Sequence, residues 1–189
     1  MEAAAAAGLD PVELLVAGEN VEPALLAEVS TLAHPPRVVA VYRRGDLPRG
    51  VRPVTLALWR VADPGNVGTL LRSADAFGAG AALSSGCADP TSPKALRASM
   101  GALFRVPLAA FDEPAGTRVA LVPRGGVPLA EAAVEGDVVF VLGAEREGLP
   151  REVLAACDVQ ASIPHAGDAE SLNVAMAGTI ALYEWSRRS

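Results

Sequence analysis

Three polar clusters in this chain have residue types and spacings that suit chemistry. The first is Asp63-Pro64-Gly65-Asn66-Val67-Gly68-Thr69-Leu70-Leu71-Arg72. Val67, Leu70, Leu71, Ala74 and Phe77 fall on one helical face, so a helix over 67–77 is expected. Asn66 then stands as its N-cap and Gly78 as the residue that ends it. Arg72 sits one to two turns in. It is either an ordinary exposed arginine or a guanidinium that grips a phosphate through paired hydrogen bonds. The second cluster is Leu142-Gly143-Ala144-Glu145-Arg146-Glu147-Gly148-Leu149. It follows an apolar run, so Glu145 lies at the carboxyl end of a strand, where open α/β sheets place ligands. Gly143 lets the backbone approach a ligand, and Gly148 permits a positive-φ turn. A tight turn with a solvated acid is the alternative. The third is Ile163-Pro164, a polar loop, and then Ser171-Leu172-Asn173-Val174-Ala175. Ser171 can cap a last helix, with Leu172, Met176, Ile180 and Tyr183 as its buried stripe.

Other chemistries find little support. Cys87 and Cys157 lie far apart without CxxC spacing, and His34 and His165 are the only imidazoles, too few ligands for a metal centre. Nothing near His165 completes a nucleophile triad, and it is expected to face solvent. No GxGxxG follows a predicted strand, which argues against a dinucleotide-binding oxidoreductase. No run approaches the roughly 18 apolar residues of a membrane span. The N-terminus begins Met1-Glu2 without a basic stretch, a poor signal peptide, so the chain is expected in the cytoplasm.

Charge is unevenly spread. The net charge is −6. Residues 1–36 hold six acids and no Lys or Arg, whereas 37–72 carry seven arginines against two aspartates, a net +5. That basic block is either a solvated linker or a surface for phosphates.

The elements that must position these clusters alternate. Residues 12–16, 38–42, 56–59, 81–84, 119–122, 138–142 and 160–163 read as strands. Residues 23–32, 67–77, 93–100, 150–156 and 172–187 read as helices. The alternation predicts a mostly parallel α/β sheet with helices on its faces. The run Val138-Val139-Phe140-Val141-Leu142 suits a strand buried on both sides. Glycines, prolines and the change of charge sign mark a boundary at 43–52, giving a small segment over 1–45 and a main domain over 46–189.

The three clusters, in this order, resemble the signature motifs of the SpoU/TrmH family of SPOUT methyltransferases. The stretch from Ser92 to Pro107, with Lys94 and Arg97, is also similar to family members. The resemblance implies a C-terminal deep trefoil knot and methyl transfer from S-adenosylmethionine to a ribose 2′-hydroxyl of tRNA or rRNA. It implies that Asn66, Arg72, Glu145, Ser171 and Asn173 serve catalysis, and that Leu142, Gly143, Ile163 and Leu172 hold the cofactor. Arg43, Arg44, Lys94 and Arg97 are the expected RNA contacts, and no metal is implied. Family members are homodimers, for which Leu182, Tyr183 and Trp185 offer apolar anchors. Residues 1–45 resemble, more weakly, the last part of an L30e-like RNA-binding domain. The alternative is a catalytically silent RNA-binding or assembly protein on the same scaffold.

Overall fold

The computed structural model describes residues 1–30, 34–166 and 170–188. The chain divides into two compact units, Met1–Leu47 and Pro48–Ser189.

The first unit holds helix α1 (Glu2–Ala6), strand β1 (Glu13–Val16), helix α2 (Pro23–Val29), strand β2 (Val38–Val41) and a 3-10 turn at Arg44–Asp46. β1 and β2 pair antiparallel, with Glu13 opposite Val41. Asn20 closes the turn after β1, accepting from the Val16 N–H and donating to the Leu14 carbonyl. The helix expected over 23–32 stops at Val29. Its last two residues lie outside the described ones.

The second unit is built on β3 (Val54–Leu58), α3 (Pro64–Ala76), β4 (Gly80–Leu83), α4 (Pro93–Ser99), β5 (Leu108–Ala110), β6 (Thr117–Leu121), β7 (Val127–Pro128), β8 (Val138–Leu142), α5 (Arg151–Ala155), β9 (Val159–Ser162) and α6 (Val174–Ser186). Its seven strands form one sheet in the order β5-β4-β3-β8-β6-β9-β7, and all of them are parallel. β6 leaves a gap beside β3 that β8 later fills, and β9 fills the gap between β6 and β7. β5 and β7, of three and two residues, are too short to carry a periodic signal in the sequence.

All five residues of β8 are buried, as a central strand covered on both faces requires. Val139 and Val141 pack with Ala57, Ala82, Phe111 and Val153 on one face. Leu142 turns to the other face, where α6 comes so close that Gly178 leaves no room for a Cβ beside Leu70 and Leu142. Leu70 and Leu71 of α3 are fully buried, each contributing about 1.5–3 kcal/mol.

Both long helices are capped by a different residue from the expected one, α3 three residues earlier and α6 two residues later. Asp63, not Asn66, caps α3: its Oδ1 accepts from the Gly65 and Asn66 N–H groups at 2.6 and 3.0 Å, with Pro64 in the first turn. Asn173, not Ser171, caps α6, its Oδ1 accepting from Ala175 and Met176 at 2.9 and 3.3 Å. Gly78, at φ +67, ends α3 as expected, with Ala79 and Gly78 donating back to Ala74 and Asp75. The buried side of α6 is Ala175, Gly178, Ala181 and Leu182, so the stripe of Met176, Ile180 and Tyr183 faces outward instead.

Candidate active site

The carboxyl ends of β3, β6, β8 and β9 bring the three clusters together. The loop after β8 turns back on itself, with Gly148 donating to the Ala144 carbonyl. A Cβ on Gly143 would strike the backbone of this same turn, 2.6 Å from the Leu149 nitrogen. Loop closure therefore demands the glycine, where the sequence suggested approach to a ligand.

Glu145 projects from that loop onto the start of α3. Its Oε1 accepts from the Asp63 N–H at 3.2 Å and from Asn66 Nδ2 at 3.0 Å, and its Oε2 accepts from the Ala62 N–H at 3.3 Å. Asn66 Oδ1 in turn accepts from Asn173 Nδ2 at 3.1 Å. The row has a fixed polarity. The N–H groups opening α6 accept nothing, so Asn173 must turn its oxygen to them and its NH2 to Asn66. A carboxylate donates nothing, so Asn66 must turn its NH2 to Glu145. Three backbone segments are thus joined by one directional chain of hydrogen bonds.

Burial pushes the Glu145 carboxyl up, but the Asn66 amide and the backbone N–H groups outweigh it and hold it below the usual range. Such a carboxylate is a weak base and a good strut. Asp63 also lies low, first because Lys94 Nζ donates to its Oδ2 at 2.7 Å and then because it caps α3. Lys94, expected at RNA, already spends one donor on this pair.

Beside the row lies a cleft of about 300 Å³. Leu142, Gly143, Ile163 and Leu172, the four expected cofactor residues, all line it, as do Glu145, Ser171 and Asn173. The lining is apolar with a few polar groups, which suits a small ligand with an apolar body. Leu121, Val122 and Pro123 join it from the end of β6. Sequence spacing could not show this, because only the strand order sets β6 beside β8. His165 also lines the cleft, half-buried, with Nδ1 3.0 Å from the Ile163 carbonyl, rather than facing open solvent.

Arg72 is not part of that lining. It is exposed on α3, about 9 Å further along the axis than Asn66. Arg97 is exposed on α4, and Arg43 and Arg44 are exposed in the first unit. Leu182 is buried and Trp185 lies partly covered beside Leu129 and Phe140, so of the suggested dimer anchors only Tyr183 stands well exposed. No group of three or more metal-ligating side chains occurs among the described residues, and none of their helices is long and apolar enough to cross a membrane.

The profile of the SpoU rRNA Methylase family matches residues 53–183. An uncharacterized tRNA/rRNA methyltransferase of Synechocystis is 36% identical over 188 residues, spanning 92% of this chain and 67% of the relative. The 23S rRNA (uridine(2479)-2′-O)-methyltransferase of Streptomyces viridochromogenes is 37% identical over 175 residues, spanning 82% and 61%. The crystal structure of the SpoU methyltransferase AviRb from Streptomyces viridochromogenes, in complex with AdoMet, superposes with a TM-score of 0.83 at 30% identity, covering 99% of this chain and 86% of that one. The chain spans about half to two thirds of the length of the curated relatives it matches.

Proposed function

This chain belongs to the SpoU rRNA methylase family, and from that premise we propose that it transfers a methyl group from S-adenosylmethionine to a ribose 2′-hydroxyl of ribosomal or transfer RNA. The observation that carries the proposal is the cleft walled by the second and third clusters, with the first cluster tied to its edge through the Glu145–Asn66–Asn173 row.

Leu142, Ile163 and Leu172 would hold the adenosyl part by apolar contact, with backbone groups of the same loops beside them. When bound, the cofactor supplies a methyl group on a sulfonium, already activated for displacement. The protein's part is to bring the ribose oxygen in line with that carbon, to exclude water, and to handle one proton. Asn66 and Asn173 are oriented by their hydrogen bonds, and Asn173 presents its edge to the cleft where the nucleotide would lie. The Arg72 guanidinium offers a planar fork of donors and no acceptor, so its role is to bind the ribose-phosphate. Ser171, exposed at the mouth of the cleft, can hydrogen-bond the incoming nucleotide.

On this reading the loops after β8 and β9 form the trefoil knot. The late insertion of β8 between β3 and β6 supports such threading. The first unit is a partial L30e-like RNA-binding segment. Arg43, Arg44 and Arg97 add RNA contacts, and the chain acts as a cytoplasmic homodimer.

The test is incubation with radiolabelled S-adenosylmethionine and total RNA from a strain lacking the protein, followed by mapping of 2′-O-methylated positions. Label at one ribose position is expected. Absence of both RNA label and S-adenosylhomocysteine binding would overturn the reading. Cofactor binding without transfer would favour the silent RNA-binding alternative.

A further inference from the structure

A second hollow, of about 580 Å³, lies on the other side of Glu145. It shares Ala144, Glu145 and Arg146 with the first cleft and is otherwise lined by Arg60, Ala62, Asp63, Gly86 and Glu147. By formal charge it holds three acids and two arginines. Two of the acids are already committed. Asp63 is paired with Lys94 at 2.7 Å and caps α3, and Glu145 accepts from three N–H donors. Glu145 keeps its charge because its donors are neutral, so with the Asp63–Lys94 pair set aside Arg60 and Arg146 balance Glu145 and Glu147, and the two guanidiniums are the cations of the lining that can donate to an anion.

Arg60 occupies a costly position. Its φ is +51, in the left-handed region that favours Gly, Asn or Asp. The turn from β3 toward α3 demands this conformation, and the Arg60 N–H donates to Ser84 Oγ at 2.9 Å. The facing residue is Gly86, at φ +92, where a Cβ would stand 3.3 Å from Arg60 Nε. A long cation thus sits where a small residue fits best, and a glycine opposite gives it room. Strain of this sort collects where a side chain is needed for function.

We infer that Arg60 and Arg146 form a phosphate clamp that holds the RNA phosphodiester beside the nucleotide whose ribose enters the cleft. This rests on the RNA methyl-transfer reading above. A guanidinium binds a phosphodiester through two parallel hydrogen bonds, and such contacts set the register of the strand rather than read its bases. Arg146 lines both cavities, so a strand seated on the clamp passes directly to the reaction cleft.

The test uses the full chain and the variants Arg60→Asn, Arg60→Lys and Arg146→Gln. Asn removes the cation yet tolerates the left-handed backbone, so Arg60→Asn should fold at least as well as the parent. Binding of a short fluorescent single-stranded RNA is followed by anisotropy over a range of salt. Arg60→Asn and Arg146→Gln should each bind several-fold more weakly. Each should flatten the slope of log K against log salt by up to about 0.7 for a lost single-strand contact. Arg60→Lys should keep most of the slope, while calorimetry with S-adenosylhomocysteine should give parental affinity throughout. Parental RNA affinity and slope in both neutral variants would overturn the clamp. So would a loss of S-adenosylhomocysteine affinity as large as that for RNA, because the anion would then be the cofactor's carboxylate. If the parent itself transfers no methyl group to total RNA, the functional reading fails and the clamp with it. If the parent transfers normally and the variants match it, the clamp alone fails.

Discussion

Glu145 shows how one side chain serves several loops. Its two oxygens hold the Ala62 and Asp63 N–H groups and the Asn66 amide, and through Asn66 they orient Asn173. These bonds favour the ionised form, so the folded protein keeps Glu145 below its ordinary value of 4.5. The resulting stability is fully present above that value and is lost as the pH falls through the lowered folded value. Glu145→Gln should therefore be less stable than the parent at neutral pH, and the gap should close on acidification below 4.5. Urea midpoints measured across that range check this. A gap that widens in acid would mean that the carboxylate is not what the loops are hung on. Arg72 has the opposite character. It is exposed, and no structural bond in the chain depends on it among the described residues. Arg72→Ala should change stability by no more than about 0.5 kcal/mol. It should nevertheless abolish methyl transfer and leave S-adenosylhomocysteine affinity intact, and Arg72→Lys should also be poor because a point charge cannot reproduce the fork. Full turnover in either variant would remove Arg72 from the mechanism.

At the scale of elements, Gly68 and Gly143 prove to be packing residues, whereas Gly148 holds φ +67 in open space, the positive-φ turn expected of it. A Cβ on Gly68 would stand 2.6 Å from Ala98 Cβ and 3.0 Å from the Ser99 nitrogen, so this glycine lets α3 and α4 touch. Gly68→Ala gains about 1 kcal/mol of helix propensity but forces backbone apart, typically at about 1–3 kcal/mol. A lower urea midpoint with an unchanged slope is expected. Gly143→Ala should lower both stability and S-adenosylhomocysteine affinity, because it prises open the turn that carries Glu145. Loss of affinity with parental stability would show that the space is needed by the ligand alone. Much of this layer was legible in the sequence. The alternation of elements, the buried run of β8 and the end of α3 at Gly78 follow from hydrophobic period and residue type. The caps differ from those expected for a local reason. Asp63 with Pro64 is a strong start signal, but the apolar stripe begins only at Val67 and drew the expected boundary to Asn66. Ser171 and Asn173 cap equally well, and nothing in the chain's local pattern chooses between them. The Glu145–Asn66 and Asn173–Asn66 bonds span 79 and 107 residues, so only the family resemblance could link those three side chains beforehand.

On the scale of the whole molecule, the outer stripe of α6 is the feature that one chain leaves unfinished. Met176, Ile180 and Tyr183 repeat at helical spacing and are 62%, 37% and 53% exposed, while the opposite side of the same helix is buried against α3 and β8. Scattered apolar residues on a surface need no explanation, but three aligned on one helix that also begins at the cleft form a natural contact for a second copy. In a symmetric pair the stripe would pack on its own counterpart, as a two-fold axis requires. It would also set the two α6 N-termini, and with them Asn173 and the cleft, in fixed relation to the joint RNA surface. Local basic strips on two chains then act together, which lets a protein of net charge −6 hold a polyanion. Ile180→Glu places a charge at the middle of the stripe without touching the buried side. It should sediment as a folded monomer and lose methyl transfer most severely at low protein concentration, whereas the parent should sediment as a dimer. A parent that is monomeric and active at the same concentration would show that α6 needs no partner and that one chain holds the whole site.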